Sequence, residues 1–136
     1  MNFEYFILEG KVRIGEKDIQ RAKALIKMSE GDLKLVNKLE NFPSIAFRTI
    51  YEALRQILEA MCLVNGYKVY SHEAYTYYLK SLGEENIAEK FERYRKLRNG
   101  INYYGKDVPK EVAINAKKDI EQICKRLKEK YFEWLH

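Results

Sequence analysis

The feature that most constrains this chain is the spacing of its apolar residues. From Glu16 onward they recur at steps of three and four, with few breakers between the runs. Ile19, Ala22, Leu25, Ile26, Ser29, Leu33 and Val36 form the first such series, and they predict a helix that ends near Glu40. Only seven glycines and two prolines occur in 136 residues, so the elements between breaks are long. No alternation of period two persists beyond a few residues, which argues against a sheet protein. The expected fold class is all-α: an up-down helical bundle of four main helices plus a short extra helix, in one domain spanning residues 1–136.

The stop and start signals divide the chain further. Asn41-Phe42-Pro43-Ser44 reads as a helix start, because Asn caps and Pro loses nothing in a first turn. Ala46, Ile50, Ala53, Leu54, Ile57, Met61 and Val64 make the stripe that follows, and Asn65-Gly66 stops it. Ser71 reads as the N-cap of a short helix carrying Tyr75, Tyr78 and Leu79 up to Gly83. Glu84 and Glu85 suit the positive end of the next helix, whose stripe runs Ile87, Phe91, Tyr94, position 98 and Ile101. After Gly105 to Pro109, a last helix is expected from about Lys110 to Trp134, with Val112, Ala116, Ile120, Ile123, Leu127, Tyr131 and Trp134 inward. Residues 2–9 are aromatic and read equally as a short helix or an extended arm. Short connections predict that neighbouring helices pack antiparallel.

Composition narrows the function classes. A net charge of +5 is compatible with RNA or nucleotide ligands and equally with solvated helix faces. A local excess gathers Lys90, Arg93, Arg95, Lys96, Arg98 and Lys106. Cys62 and Cys124 stand far apart inside apolar helical patterns, which makes them core residues and leaves no disulfide framework or metal spacing. No charged-then-apolar leader and no long apolar run is present, so a cytoplasmic location without a membrane partner is expected. There is no phosphate-binding glycine loop, dinucleotide fingerprint or zinc motif, and no cofactor is expected.

Arg98 breaks the pattern. It falls on the apolar stripe where Leu or Ile would be expected, and a guanidinium cannot be neutralised. It therefore needs either a buried carboxylate or a cleft with an anionic ligand. Arg95, Asn99, Asn102 and Tyr103 share one polar edge at steps of three and four, with Arg98 beside it, and Gly100 allows close backbone approach. Such a set of donors and phenols suits a phosphate or an RNA backbone.

The stretch Leu97-Arg98-Asn99-Gly100-Ile101-Asn102-Tyr103-Tyr104-Gly105 resembles the signature of the HEPN superfamily, in which an Arg and a polar residue precede a His. Tyr51-Glu52-Ala53-Leu54-Arg55-Gln56, then Glu59-Ala60 and Gly66-Tyr67-Lys68, resemble the second-helix pattern of archaeal and bacterial members. The resemblance covers roughly residues 16–135. It implies a homodimer whose paired motifs meet at a cleft between protomers. Many members are metal-independent endoribonucleases, and others pair with a minimal nucleotidyltransferase in toxin–antitoxin modules. Carried over residue by residue, Arg98 would be the catalytic cation and Tyr103 would occupy the place of the His. Arg95, Asn99, Asn102, Tyr104 and Glu52 would line the ligand, with Glu52 a candidate partner of Arg98. Tyr103 departs from the pattern: with a pKa near 10 a phenol is a poor base at neutral pH, although it binds phosphate. The expected function is RNA or nucleotide binding, with ribonuclease activity or a non-catalytic partnership with a nucleotidyltransferase as the alternatives. DNA is not an expected partner.

Two histidines remain. His72 reads as a residue of a helix start, and His136 is terminal. Tyr67, Tyr70, Tyr75, Tyr77 and Tyr78 read as packing or interface residues before base-stacking ones.

Overall fold

The computed structural model describes residues 1–135, the side chain of Tyr103 excepted. The chain is mostly helical. A short α1 (Phe3–Leu8) leads into β1 (Val12–Ile14), then α2 (Ile19–Leu35) and α3 (Pro43–Leu63). A second short strand, β2 (Tyr67–Val69), precedes α4 (Glu73–Ser81), α5 (Glu85–Tyr104) and α6 (Lys110–Tyr131). Single 3-10 turns follow α2 and α6, at Val36–Lys38 and Glu133–Leu135.

The helix α3 is the axis of the molecule, since 13 of its 21 residues are buried. Its apolar positions at steps of three and four wrap almost all the way round it, so it needs partners on several sides. The helix α2 covers one side and runs antiparallel. Asp18 N–H donates to the Leu63 carbonyl at one end, and the buried Ser29 hydroxyl donates to the Ala53 carbonyl midway. Ala22, Leu25, Ser29 and Val36 point inward as their spacing predicts. The helices α5 and α6 are also antiparallel: Lys90 and Tyr94 both reach Asp119, while Glu84 reaches Arg126 and Lys130 further along α6. The same holds for α4 and α5, where Thr76 meets Glu92 and Glu73 meets Arg95.

Several local expectations change. Asn41 does not cap α3; the cap residue is Phe42, with no side-chain bond, because Pro43 opens the helix one residue after it. Ser44 instead accepts from the Val108 N–H at 3.0 Å, which ties the α5–α6 loop to the start of α3. Ser71 does not cap α4 either; His72 holds that position. The last helix ends at Tyr131, where Phe132 leaves helical geometry at φ −126 and turns inward. That break leaves Trp134 exposed, and Val112 lies at the edge of the buried face, outside it. The ambiguous first residues form α1, capped by Asn2, with Phe3 and Phe6 in the core.

Both strands fall in segments too short for a period-two pattern to declare itself. They pair antiparallel, Val12 opposite Val69 and Ile14 opposite Tyr67. Backbone bonds extend the seam, from Gly15 N–H to the Gly66 carbonyl and from Tyr70 N–H to the Lys11 carbonyl. The chain between α3 and α4 is thereby clamped to the N-terminal segment. Cys62 and Cys124 are buried, as their apolar settings predict, and burial pushes the Cys124 thiol up to about 12. Among the described residues no helix is long and apolar enough to cross a membrane. Among the same residues, no His, Cys, Asp and Glu side chains cluster as metal ligands would.

Candidate functional site

Three elements converge on the ring of Tyr51. It belongs to the apolar stripe of α3 and is fully buried. Phe91 of α5 stacks on it at 5.7 Å between centroids and 18° between planes. Arg98, two turns further along α5, places its Cζ 5.7 Å from the ring centroid. The 98th position therefore keeps the inward direction of its stripe, and its cation meets an aromatic face where an aliphatic side chain would have packed. From the third side comes His72, whose ring stacks near Tyr51 at 5.9 Å and whose Nδ1 lies 2.9 Å from the Tyr51 hydroxyl.

The neighbouring arginines are spoken for. Arg55 bonds to Glu52 through Nε and Nη2, and to Glu59 through Nη1. Arg95 bonds to Glu92 through Nε at 2.5 Å and reaches Glu73 at 3.5 Å. Arg98 makes no salt bridge among the described residues, although it is half-buried. Glu52, expected beside Arg98, pairs with Arg55 because the two are one helical turn apart on α3 and meet without any help from tertiary structure. Its carboxyl is held below the ordinary range, chiefly by the Arg55 bond, against the upward push of its burial. Gln56 adds an amide bond to Asp32 at 2.9 Å, and its Oε1 is sealed in the interior without a donor.

Burial dominates the titration of the aromatic pair. It pushes the Tyr51 phenol well above its usual value, only partly offset by the charges of Arg98, Arg95 and Arg55. It pushes the His72 imidazole down from 6.5 to about 4, with the Arg98 and Arg55 charges acting in the same direction and Glu52 against them. At neutral pH both groups are uncharged, and Arg98 is the cation left facing them.

The expected site is thus partly assembled. Arg98 sits at its centre, and Arg95 lies beside it with its charge taken up by glutamates. Asn99 is half-buried on the next position of α5. Asn102 and Tyr104 are exposed toward the C-terminal end of that helix, away from the aromatic group. The role expected of Tyr103 falls on a side chain outside the described residues, as does His136. The residue the sequence reading passed over is His72. Its position before a helix accounted for it locally, and nothing within a few residues signals a partner 21 positions away. Among the tyrosines, Tyr75 and Tyr78 are core residues and Tyr67 and Tyr77 pack against the core, while Tyr70 is exposed.

Surface grooves lie elsewhere. One of about 600 Å³ runs between α2 and α6, floored by Ile26, Phe132 and Leu135 and rimmed by lysines. It holds none of the groups around Tyr51, and Lys128 pairs with Glu30 across it at 3.8 Å. Comparison with family models, with curated proteins and with solved structures finds no match to the chain.

Proposed function

We propose that this chain is a HEPN-like domain that works as a homodimer and binds RNA or a nucleotide at a centre built on Arg98, with Asn99 and Tyr103 beside it. One observation supports this reading above the others. Of the three arginines around Tyr51, two are matched by two glutamates each, and Arg98 has no carboxylate among the described residues. A half-buried guanidinium costs free energy to keep unless an anion uses it. The glutamates also restrict what binds. They take up the charges of Arg55 and Arg95 beside Tyr51, and leave Arg98 there as a cation that suits one phosphate.

The homodimer draws support from the end of the bundle where α3 begins and α5 finishes. Phe42 and Ile45 at the start of α3 are exposed, as is Tyr104 at the end of α5. The bond from Val108 to Ser44 ties the loop that follows α5 to the start of α3. Apolar side chains of that size gathered at one end favour a partner surface.

The test is metal-free titration of labelled single-stranded RNA, followed by anisotropy, with light scattering to establish the oligomer. Arg98→Ala is expected to weaken binding about tenfold and to lower the salt slope by roughly 0.7, the value for one phosphate contact on a single strand. Lys96→Ala removes the same charge from the exposed face of α5 and is expected to change affinity little. Equal loss in the two variants would reduce the binding to general charge attraction and overturn the reading, as would a monomer at micromolar concentration. Cleavage that disappears in Arg98→Ala with the fold intact would extend the reading to a ribonuclease.

A further inference from the structure

The hydrogen bond between Tyr51 and His72 carries information about the imidazole. The Tyr51 hydroxyl is buried, and its one partner among the described residues is His72 Nδ1. Burial keeps the phenol protonated, so it has a proton to place. A buried hydroxyl that donates to nothing gives up its bond to water and gains none in return. The proton is therefore directed at Nδ1, which accepts, and a neutral imidazole that accepts at Nδ1 carries its own hydrogen on Nε2. That Nε2 has no partner among the described residues. The His72 ring itself is half-buried, at the start of α4. Arg98 meets the same tyrosine ring, and its charge bears on His72 more than that of any other residue.

We propose that His72 is a fixed hydrogen-bond donor, which Tyr51 sets with its Nε2–H outward so that it and the Arg98 guanidinium together grip one phosphate group of the ligand. The proposal rests on the reading of Arg98 as a ligand-binding cation and deepens it by adding a second donor and a stoichiometry of one phosphate. It also excludes a role. A general base needs a free lone pair, and the imidazole lone pair is on Nδ1, occupied by Tyr51. His72 is thus a binding residue, and the site holds a phosphate without an imidazole base to activate an attacking hydroxyl.

Nitrogen-15 NMR of the histidine ring in the intact protein reads the tautomer directly. The expected result is an unprotonated Nδ1 and a protonated Nε2, with the preference lost in Tyr51→Phe. The opposite tautomer in the wild-type protein would overturn the proposal before any ligand is added. The second measurement is titration with inorganic phosphate and with a short single-stranded RNA, followed by the Nε2 resonance and by affinity. His72→Gln keeps an amide N–H near the Nε2 position and is expected to retain affinity within about twofold; His72→Phe keeps the ring and loses the donor, with an expected loss of about tenfold. RNA binding that is unchanged in His72→Phe would overturn this proposal and leave the proposed function standing. A response to phosphate without binding of RNA or a nucleotide would do the reverse. Cleavage of RNA that His72→Gln abolishes without weakening binding would make His72 a base and refute the donor role.

Discussion

At the scale of single residues, the state of His72 couples the site to stability. In the unfolded chain the imidazole titrates near 6.5, and in the folded protein at about 4. Between those values the unfolded chain binds more protons, so stability rises with pH across the window. The contribution is complete above 6.5 and is lost as the pH falls toward 4. Because the ring is partly open to solvent, its worth is on the order of 1–2 kcal/mol. The groups that set it are Tyr51, Glu52 and Arg55 of α3, with Arg95 and Arg98 of α5. Urea unfolding near pH 7 and near pH 5 is expected to show a loss in the wild-type protein that His72→Gln reduces; identical pH profiles would contradict the coupling. Glu52 acts in the same direction but only below the ordinary carboxylate range, which leaves the upper part of the window to His72. Arg98 was legible in the sequence because it violates a stripe that surrounds it on both sides. His72 was not, because a histidine at a helix start satisfies every local expectation and its meaning comes from a tyrosine on another helix. The pairing imagined for Glu52 failed for the opposite reason: a local partner, Arg55, was within one turn and took precedence.

At the scale of elements, the long helices follow from apolar spacing and from their breakers, while their caps do not. Gly66 and Gly105 both end helical segments with positive φ, at 82° and 63°. The loop after α5 leaves space around Gly105, so Gly105→Ala carries only the backbone cost of about 1 kcal/mol. A Cβ at Gly66 would stand 2.6 Å from the Gly15 carbonyl oxygen, which is backbone and does not move aside. Gly66→Ala is expected to cost clearly more, about 2–4 kcal/mol, and thermal melts of the two variants check the order. The sequence marks Gly66 as a stop and Gly105 as the beginning of a loop, and gives no sign of which one is crowded. That depends on the pairing of β1 with β2, which three-residue strands are too short to announce. Caps failed similarly. Asn41 and Ser71 have the right chemistry but lie one residue before the cap positions, which Phe42 and His72 hold.

At the scale of the whole molecule, the bundle's antiparallel order follows from short loops, but the N-terminal segment follows from contacts far along the chain. The seam from Lys11 to Gly15 holds the stretch from Gly66 to Tyr70, with two long helices between them in sequence. That stretch leads straight into His72. The first fifteen residues therefore hold that stretch as a latch would, and release of the latch is expected to leave the α2–α3 and α5–α6 pairs intact. In hydrogen exchange the amides of Gly15 and Tyr70 are expected to open together, ahead of the α3 core. Val12→Ala, which thins the buried contact under the latch, is expected to speed both while barely changing α6. Uncorrelated exchange at the two amides would show that the seam does not open as a unit. A proteolytic cut at the exposed Lys11 or Arg13 is then expected to loosen His72 from Tyr51, and, on the proposed function, to weaken ligand binding from a distance.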